Sequence, residues 1–241
     1  MKDQNKPLFI FFNYATKGRP ERFFDGLDSI YNNISDKENF HVMVAAGEDD
    51  LSMNNPEVIN RVKKDYPNTT INFGENTGKV QATNKNFENS GIWETADIIV
   101  NMADDMRFTL GGFDNIIRLD MQTYFPEMDG LLHYPDQDAM ERVPVLYIAG
   151  IKYFERRGKI VAWPEYKSLW WDNDDKEYST LIGKYQYINN RMFDHLCPAY
   201  GYLERDEIFN RDQNLWQHDE EIFHRRETEK FGLQPHEIIT P

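Results

Sequence analysis

"PLFIFFNYATKGRPERFFDGLDSIYNNI", residues 7–34, decides the fold. Its opening "PLFIFFNY" is a largely apolar run, as expected of a strand buried on both faces. Beyond the polar turn "ATKGRP" (15–20), Phe23, Phe24, Leu27, Ile30 and Ile34 recur at helical spacing. The alternation then repeats. "FHVMVAAGEDD" (40–50) reads as a second strand, and "NPEVINRVKKDY" (55–66) as a helix with Asn55 at the N-cap and Pro56 at its first position. "TTINFGEN" (69–76) is a third strand, "GKVQATNKNFENSGIW" (78–93) a third helix and "ADIIVNMA" (96–103) a fourth strand. Strands and helices at this interval predict an α/β domain with a mostly parallel central sheet flanked by helices.

The chain of 241 residues is long enough for one large domain with a sizeable core, and no Pro/Gly/Ser-rich linker divides it. Hydrophobic residues make up 40% and aromatics 14%, which places it among folded globules. A net charge of -14 argues against a nonspecific grip on nucleic acid or an anionic membrane, since both need a basic face. The single cysteine, Cys197, excludes an internal disulfide and a multi-cysteine zinc site, and fits a cytoplasmic setting. The apolar stretch near the start is too short to span a membrane and wrongly flanked for a signal peptide.

Ligands on such sheets bind beyond the carboxyl ends of the strands. Those ends carry "ATKGRP", "GEDD" (47–50), "GENTGK" (74–79) and "ADDM" (103–106), all expected to face one crevice. They supply the cations Lys17, Arg19 and Lys79 and the anions Asp49, Asp50, Asp104 and Asp105. Any one such loop is by default merely solvated; it is their joint placement that suits a ligand with phosphates, a polar ring system and a divalent metal. "GENTGK" lacks Walker spacing and no G-x-G-x-x-G follows the first strand, which argues against P-loop and dinucleotide-binding chemistry.

Downstream, "WPEYKSLWWDNDDKEYSTLIG" (163–183) gathers three of the five tryptophans with Asp172, Asp174, Asp175 and Glu177. Aromatic faces beside carboxylates are a common way to bind a sugar, which makes Trp170 and Trp171 candidate sugar-binding residues; the plainer reading is core aromatics before an acidic helix N-terminus.

"T-K-G-R-P" after the first strand, an acidic pair after the second, "N-T-G-K-V-Q-A-T-N" at the third helix and "A-D-D-M" after the fourth strand together resemble a family 2-type glycosyltransferase of the GT-A fold. The resemblance covers residues 7–200 and implies a single GT-A-like, Rossmann-like domain (1–200) with a C-terminal helical extension (201–241) packed on it. It implies a nucleotide-diphosphate-sugar donor, a UDP- or GDP-sugar, contacted by Thr16, Arg19, Asp49, Asp50, Asn76, Lys79 and Asp104. Asp104 and Asp105 match the D-x-D region that holds Mn2+ or Mg2+, although Met102 stands where a strict motif has its first acid. His195, in an H-x-x-P setting with Pro198, matches a late histidine that reaches the metal. "WWDNDD" resembles the segment bearing the general base of inverting members, with Asp172 the better match and Asp174 the runner-up. The implied activity is sugar transfer to a glycan, lipid-linked or other hydroxyl acceptor. A silent nucleotide- or sugar-binding module and a nucleotidyltransferase are the alternatives, and a DNA-modifying transferase would need a concentrated basic patch.

Overall fold

The computed structural model describes residues 6–75, 78–88 and 91–239. The chain runs β1 (Ile10–Ala15), α1 (Pro20–Asn33), β2 (Phe40–Gly47), α2 (Pro56–Asp65), β3 (Thr69–Gly74), α3 (Lys79–Glu88), β4 (Ile98–Ala103) and β5 (Met106–Phe108). It continues with α4 (Phe113–Tyr124), β6 (Leu131–His133), β7 (Tyr147–Gly150), α5 (Ile151–Arg156), α6 (Trp171–Leu181), β8 (Tyr185–Tyr187), β9 (Phe193–His195), α7 (Glu207–Gln213) and α8 (Trp216–Thr228).

The main sheet has seven strands in the order β3-β2-β1-β4-β7-β6-β8. Its first four strands pair in parallel, β7 is antiparallel to both neighbours, and β8 runs parallel to β6. This agrees with the mostly parallel α/β sheet expected from the alternating pattern. β5 and β9 form a separate antiparallel pair.

Side chains alternate across the sheet. Ile10, Phe12 and Tyr14 of β1 enter one apolar layer with the Phe23, Leu27 and Ile30 face of α1, while Phe11 enters the other with Phe87, Trp93 and Phe154. Each fully buried phenylalanine contributes about 1.5–3 kcal/mol, so two-sided burial commits β1 to the sheet centre. α2 starts as its sequence predicts: Asn55 accepts a hydrogen bond from the Val58 N–H at 3.1 Å, with Pro56 next.

Near the C-terminal end of the described residues, α8 docks through Phe223, whose ring lies 5.2 Å from that of Trp170, and through Arg226, which pairs with Asp174. No helix among the described residues is long and apolar enough to cross a membrane.

Candidate active site

Sheet order fixes where the site falls. The chain leaves β1 towards β2 and β3, then returns to place β4 on the other side of β1, and this reversal opens a crevice at the carboxyl ends of β1 and β4. Register brings the next residues together. Ala15 lies opposite Ala103, and one residue on, Thr16 Oγ1 donates to Asp104 Oδ2 at 2.9 Å. Arg19 Nη1 donates to the other oxygen of Asp104 at 3.0 Å. Burial pushes the Asp104 carboxyl above its usual range, opposed by Arg19 and reinforced by neighbouring Asp105.

Asp105 is held differently. The β5–β9 pair aligns Met106 with His195, so His195 Nε2 lies 3.5 Å from Asp105 Oδ2 and Nδ1 lies 3.3 Å from Asp136 Oδ2. Gln137 clamps the backbone of His195, donating to its carbonyl at 2.6 Å and accepting its N–H at 3.0 Å. Burial disfavours a charged imidazole, yet hydrogen bonds to Asp105 and Asp136 outweigh it and raise the His195 pKa to about 10. Burial likewise opposes ionisation of Asp105, but His195, Lys79 and Arg19 together hold it well below the carboxylate range.

One oxygen of this pair is orphaned. Asp105 Oδ1 is buried without a hydrogen-bond partner among the described residues. No three His, Cys, Asp or Glu side chains among those residues converge into a ready-made metal cage. Adjacent carboxylates, one with a buried unpartnered oxygen, fit Mg2+ or Mn2+, whose other ligands are typically water and substrate phosphates. Met102, where a strict motif has its first acid, packs in the apolar layer under β4 and also borders the cavity.

Thr16, Arg19, Lys79, Asp104, Asp105, His195, Trp170, Trp171 and Asp172 all line one cavity of about 580 Å³, within the range that encloses a small-molecule ligand. Asp172 stands in the first turn of α6, and burial pushes its carboxyl up against the pull of Lys79 and His195. Trp170, with φ of 65°, makes the turn into that helix. Its Nε1 and the Ser168 hydroxyl are buried without partners among the described residues, and both residues line the cavity.

Other expected residues are placed elsewhere. Asp174 is a correction to the two-candidate base: it does not line the cavity but is fully buried between Arg157, at 2.8 Å, and Arg226, with the Tyr166 hydroxyl donating to it at 3.0 Å. Three carboxyl-end loops converge as expected; the acidic pair after β2 does not join them. Asp50 instead ties two loops together, accepting from the Gly18 N–H and the Ser52 hydroxyl, both at 2.6 Å. Asp49 is exposed and absent from the cavity wall. Asn76 lies outside the described residues.

Several site residues escaped the sequence reading. Asn13 and Asn101 interrupt the apolar runs "FIFFNY" and "IIVNM", and a polar residue inside a two-face-buried strand was the available signal. Asp206 caps α7 through the Phe209 N–H and reaches Arg19; an aspartate opening "DEIF" is a recognisable N-cap. Asp136, Gln137 and Ser168 carried no comparable signal.

No family model and no curated protein matches the chain. Solved structures do. The mannosyltransferase PcManGT from Pyrobaculum calidifontis, in complex with GDP-Man and Mn2+, superposes with a TM-score of 0.59 at 16% identity over 78% of this chain and 56% of that one. S. aureus TarS 1-349 in complex with UDP-GlcNAc gives a TM-score of 0.57 at 10% identity, covering 77% of this chain and 57% of that one. The UDP complex of TarS 1-349 gives 0.59 at 10% identity, covering 95% and 77%. The chain thus spans less than two thirds of the length of the first two. With its sheet order, its crevice between β1 and β4 and these superpositions, the chain has the fold of the GT-A glycosyltransferases.

Proposed function

We propose that the protein is a glycosyltransferase that moves a sugar from a nucleotide-diphosphate donor, a UDP- or GDP-sugar, to a hydroxyl of a glycan, lipid-linked or other acceptor, with inversion. The observation that carries this is a single cavity lined by Asp104, Asp105 and Asp172, in which Asp105 keeps one oxygen without a partner among the described residues. Structural neighbours in complex with GDP-Man and Mn2+ and with UDP-GlcNAc support the donor class.

In this reading Thr16 and Arg19 fix Asp104, and His195 fixes Asp105, so both carboxylates are oriented before substrate arrives. A divalent cation held by Asp104 and Asp105, with His195 beside it, would neutralise charge on the departing diphosphate. Lys79 and Arg19 add positive charge on the same side. Asp172 takes the proton from the acceptor hydroxyl as its oxygen bonds to the anomeric carbon and the bond to the diphosphate breaks. Its raised pKa suits a base that must hold that proton. Trp170 and Trp171 form the acceptor wall.

Calorimetric titration with UDP and GDP, with and without Mn2+, tests this in the wild type and in Asp105→Asn. Metal-dependent nucleotide binding that disappears in a folded Asp105→Asn supports it. Absence of nucleotide binding under every condition refutes it.

A further inference from the structure

Four asparagines join hands beneath the cavity, and glycosyl transfer as described above uses none of them. Asn13 Nδ2 donates to the Thr83 carbonyl at 3.0 Å and to Asn101 Oδ1 at 2.9 Å. Asn86 Nδ2 donates to the Met43 carbonyl at 2.9 Å and to Asn13 Oδ1 at 2.6 Å. Asn72 Nδ2 donates to Asn86 Oδ1 at 2.9 Å. The chain runs from β3 through α3 to β1 and β4, where Asn13 and Asn101 are register partners.

The two inner amides cannot flip. Main-chain carbonyls only accept, so Thr83 and Met43 oblige Asn13 and Asn86 to present their NH2 groups, and each oxygen is then committed to the next asparagine. Both side chains are buried, where a reversed amide would leave polar groups unpaired at about 1–3 kcal/mol each. Asn86 Oδ1 must therefore receive an N–H from Asn72. This locks the Asn72 amide with its own oxygen and remaining N–H unpartnered among the described residues, on the cavity wall.

Asn72 lies at the end of the cavity away from the carboxylate pair. Sheet order β3-β2-β1-β4 separates them by three strand spacings, about 14 Å, a span comparable with a nucleoside diphosphate. Between them β2 offers Ala45, Ala46 and Gly47, whose small side chains leave the cavity open. A diphosphate at Asp104 and Asp105 thus directs the base towards Asn72 and neighbouring Phe73.

We propose that Asn72 reads the nucleobase of the donor, and that the Asn86–Asn13–Asn101 ladder selects bases with a lactam edge, a ring N–H beside a carbonyl, as in uracil and guanine. Because Asn72 donates into the ladder, its oxygen is polarised into a stronger acceptor, which favours the acidic ring N–H of a lactam. A locked amide also cannot turn to suit cytosine, whose edge has donor and acceptor reversed. Asn86, Asn13 and Asn101 are positioning residues in this account. The inference rests on the nucleotide-sugar reading of the cavity.

Titration with UDP, GDP, CDP, ADP and inorganic pyrophosphate in Mn2+ tests it in the wild type, Asn72→Ser and Asn86→Ser. In the wild type, UDP or GDP binds about tenfold or more tighter than CDP and ADP, the scale of one well-placed hydrogen bond. In Asn72→Ser, which leaves the buried ladder in place, that preference collapses while pyrophosphate affinity is retained; Asn86→Ser, where folded, gives the same collapse with Asn72 intact. Nucleotides binding without base preference in the wild type, or a preference that survives Asn72→Ser, overturn this inference alone. If no nucleotide binds, the donor reading falls with it.

Discussion

Arg19 grips Asp206 with two hydrogen bonds of 2.7 Å, from Nε and Nη2, while its Nη1 holds Asp104. One guanidinium thus links the carboxylate pair to the start of α7. Asp206 is also the N-cap of α7, a helix with no buried residue whose Ile208, Phe209 and Arg211 line the cavity. The cap and the charged pair are the main fastenings of that helix among the described residues, since burial contributes little there. Asp206→Ala should release α7, at a local cost of about 1–3 kcal/mol, while the global melting temperature moves little. Limited proteolysis should cut within 201–215 several times faster in the variant, and an unchanged rate would separate α7 from this fastening.

Asp172 and Asp174 stand two residues apart with opposite expected effects. Asp174 is sealed between Arg157 and Arg226, so Asp174→Ala leaves the buried Arg226 without its carboxylate and Arg157 with Asp175 alone, and should cost about 3–5 kcal/mol in urea unfolding. Asp172 lines the cavity and accepts hydrogen bonds from its neighbour Asn173, so Asp172→Asn should leave unfolding nearly unchanged. Its turnover of a nucleotide sugar should fall by about 100-fold or more, the scale of a lost general base. A destabilised Asp172→Asn, or an unaffected rate, would exchange or remove these roles.

The divide between these two aspartates marks what could be read from the sequence. Periodicity located β1 to β4 and the helices between them, because two-face burial and one-face burial leave different apolar spacings. The positions of Thr16, Arg19, Asp104 and Asp105 followed, since strand ends in a doubly wound sheet are neighbours whatever the side chains. "WWDNDD" could not tell Asp172 from Asp174, because the difference is made by Arg157 and Arg226, distant in sequence and brought in by α5 and α8. Asp50 looked like a ligand contact for the same reason: its partner, the Gly18 N–H, belongs to another loop. The asparagine ladder was visible only as isolated polar residues, and their register, Asn13 opposite Asn101, needed the fold.

Ser168 keeps a buried hydroxyl without a partner among the described residues, on the cavity wall beside the unpartnered Trp170 Nε1. An unsatisfied buried hydroxyl costs about 1–3 kcal/mol, so Ser168→Ala should leave stability unchanged or slightly raised. If the hydroxyl meets a sugar hydroxyl in the complex, kcat/KM for the donor or acceptor should fall by about tenfold. Both readings come from one variant, by thermal unfolding and steady-state kinetics. Lower stability with unchanged kinetics would make Ser168 a packing residue.

His195 gives the protein a defined alkaline response. Its imidazole, about 6.5 in an unfolded chain, is raised to about 10 in the fold; burial opposes this, and hydrogen bonds to Asp105 and Asp136 outweigh burial. The folded state binds this proton more tightly, so the stabilisation is complete below pH of about 6.5 and is lost as pH rises through the folded value. Metal-free protein should therefore lose stability steadily from neutral pH towards pH of about 10, and His195→Gln should flatten that slope while lowering stability at neutral pH. A divalent metal that replaces the Nε2 proton must displace it, so Mn2+ affinity should rise by up to about tenfold per pH unit over this range. Urea unfolding and Mn2+ titration across the same buffers measure both, and a wild-type stability profile as flat as that of His195→Gln would place the His195 proton outside the Asp105–Asp136 pair.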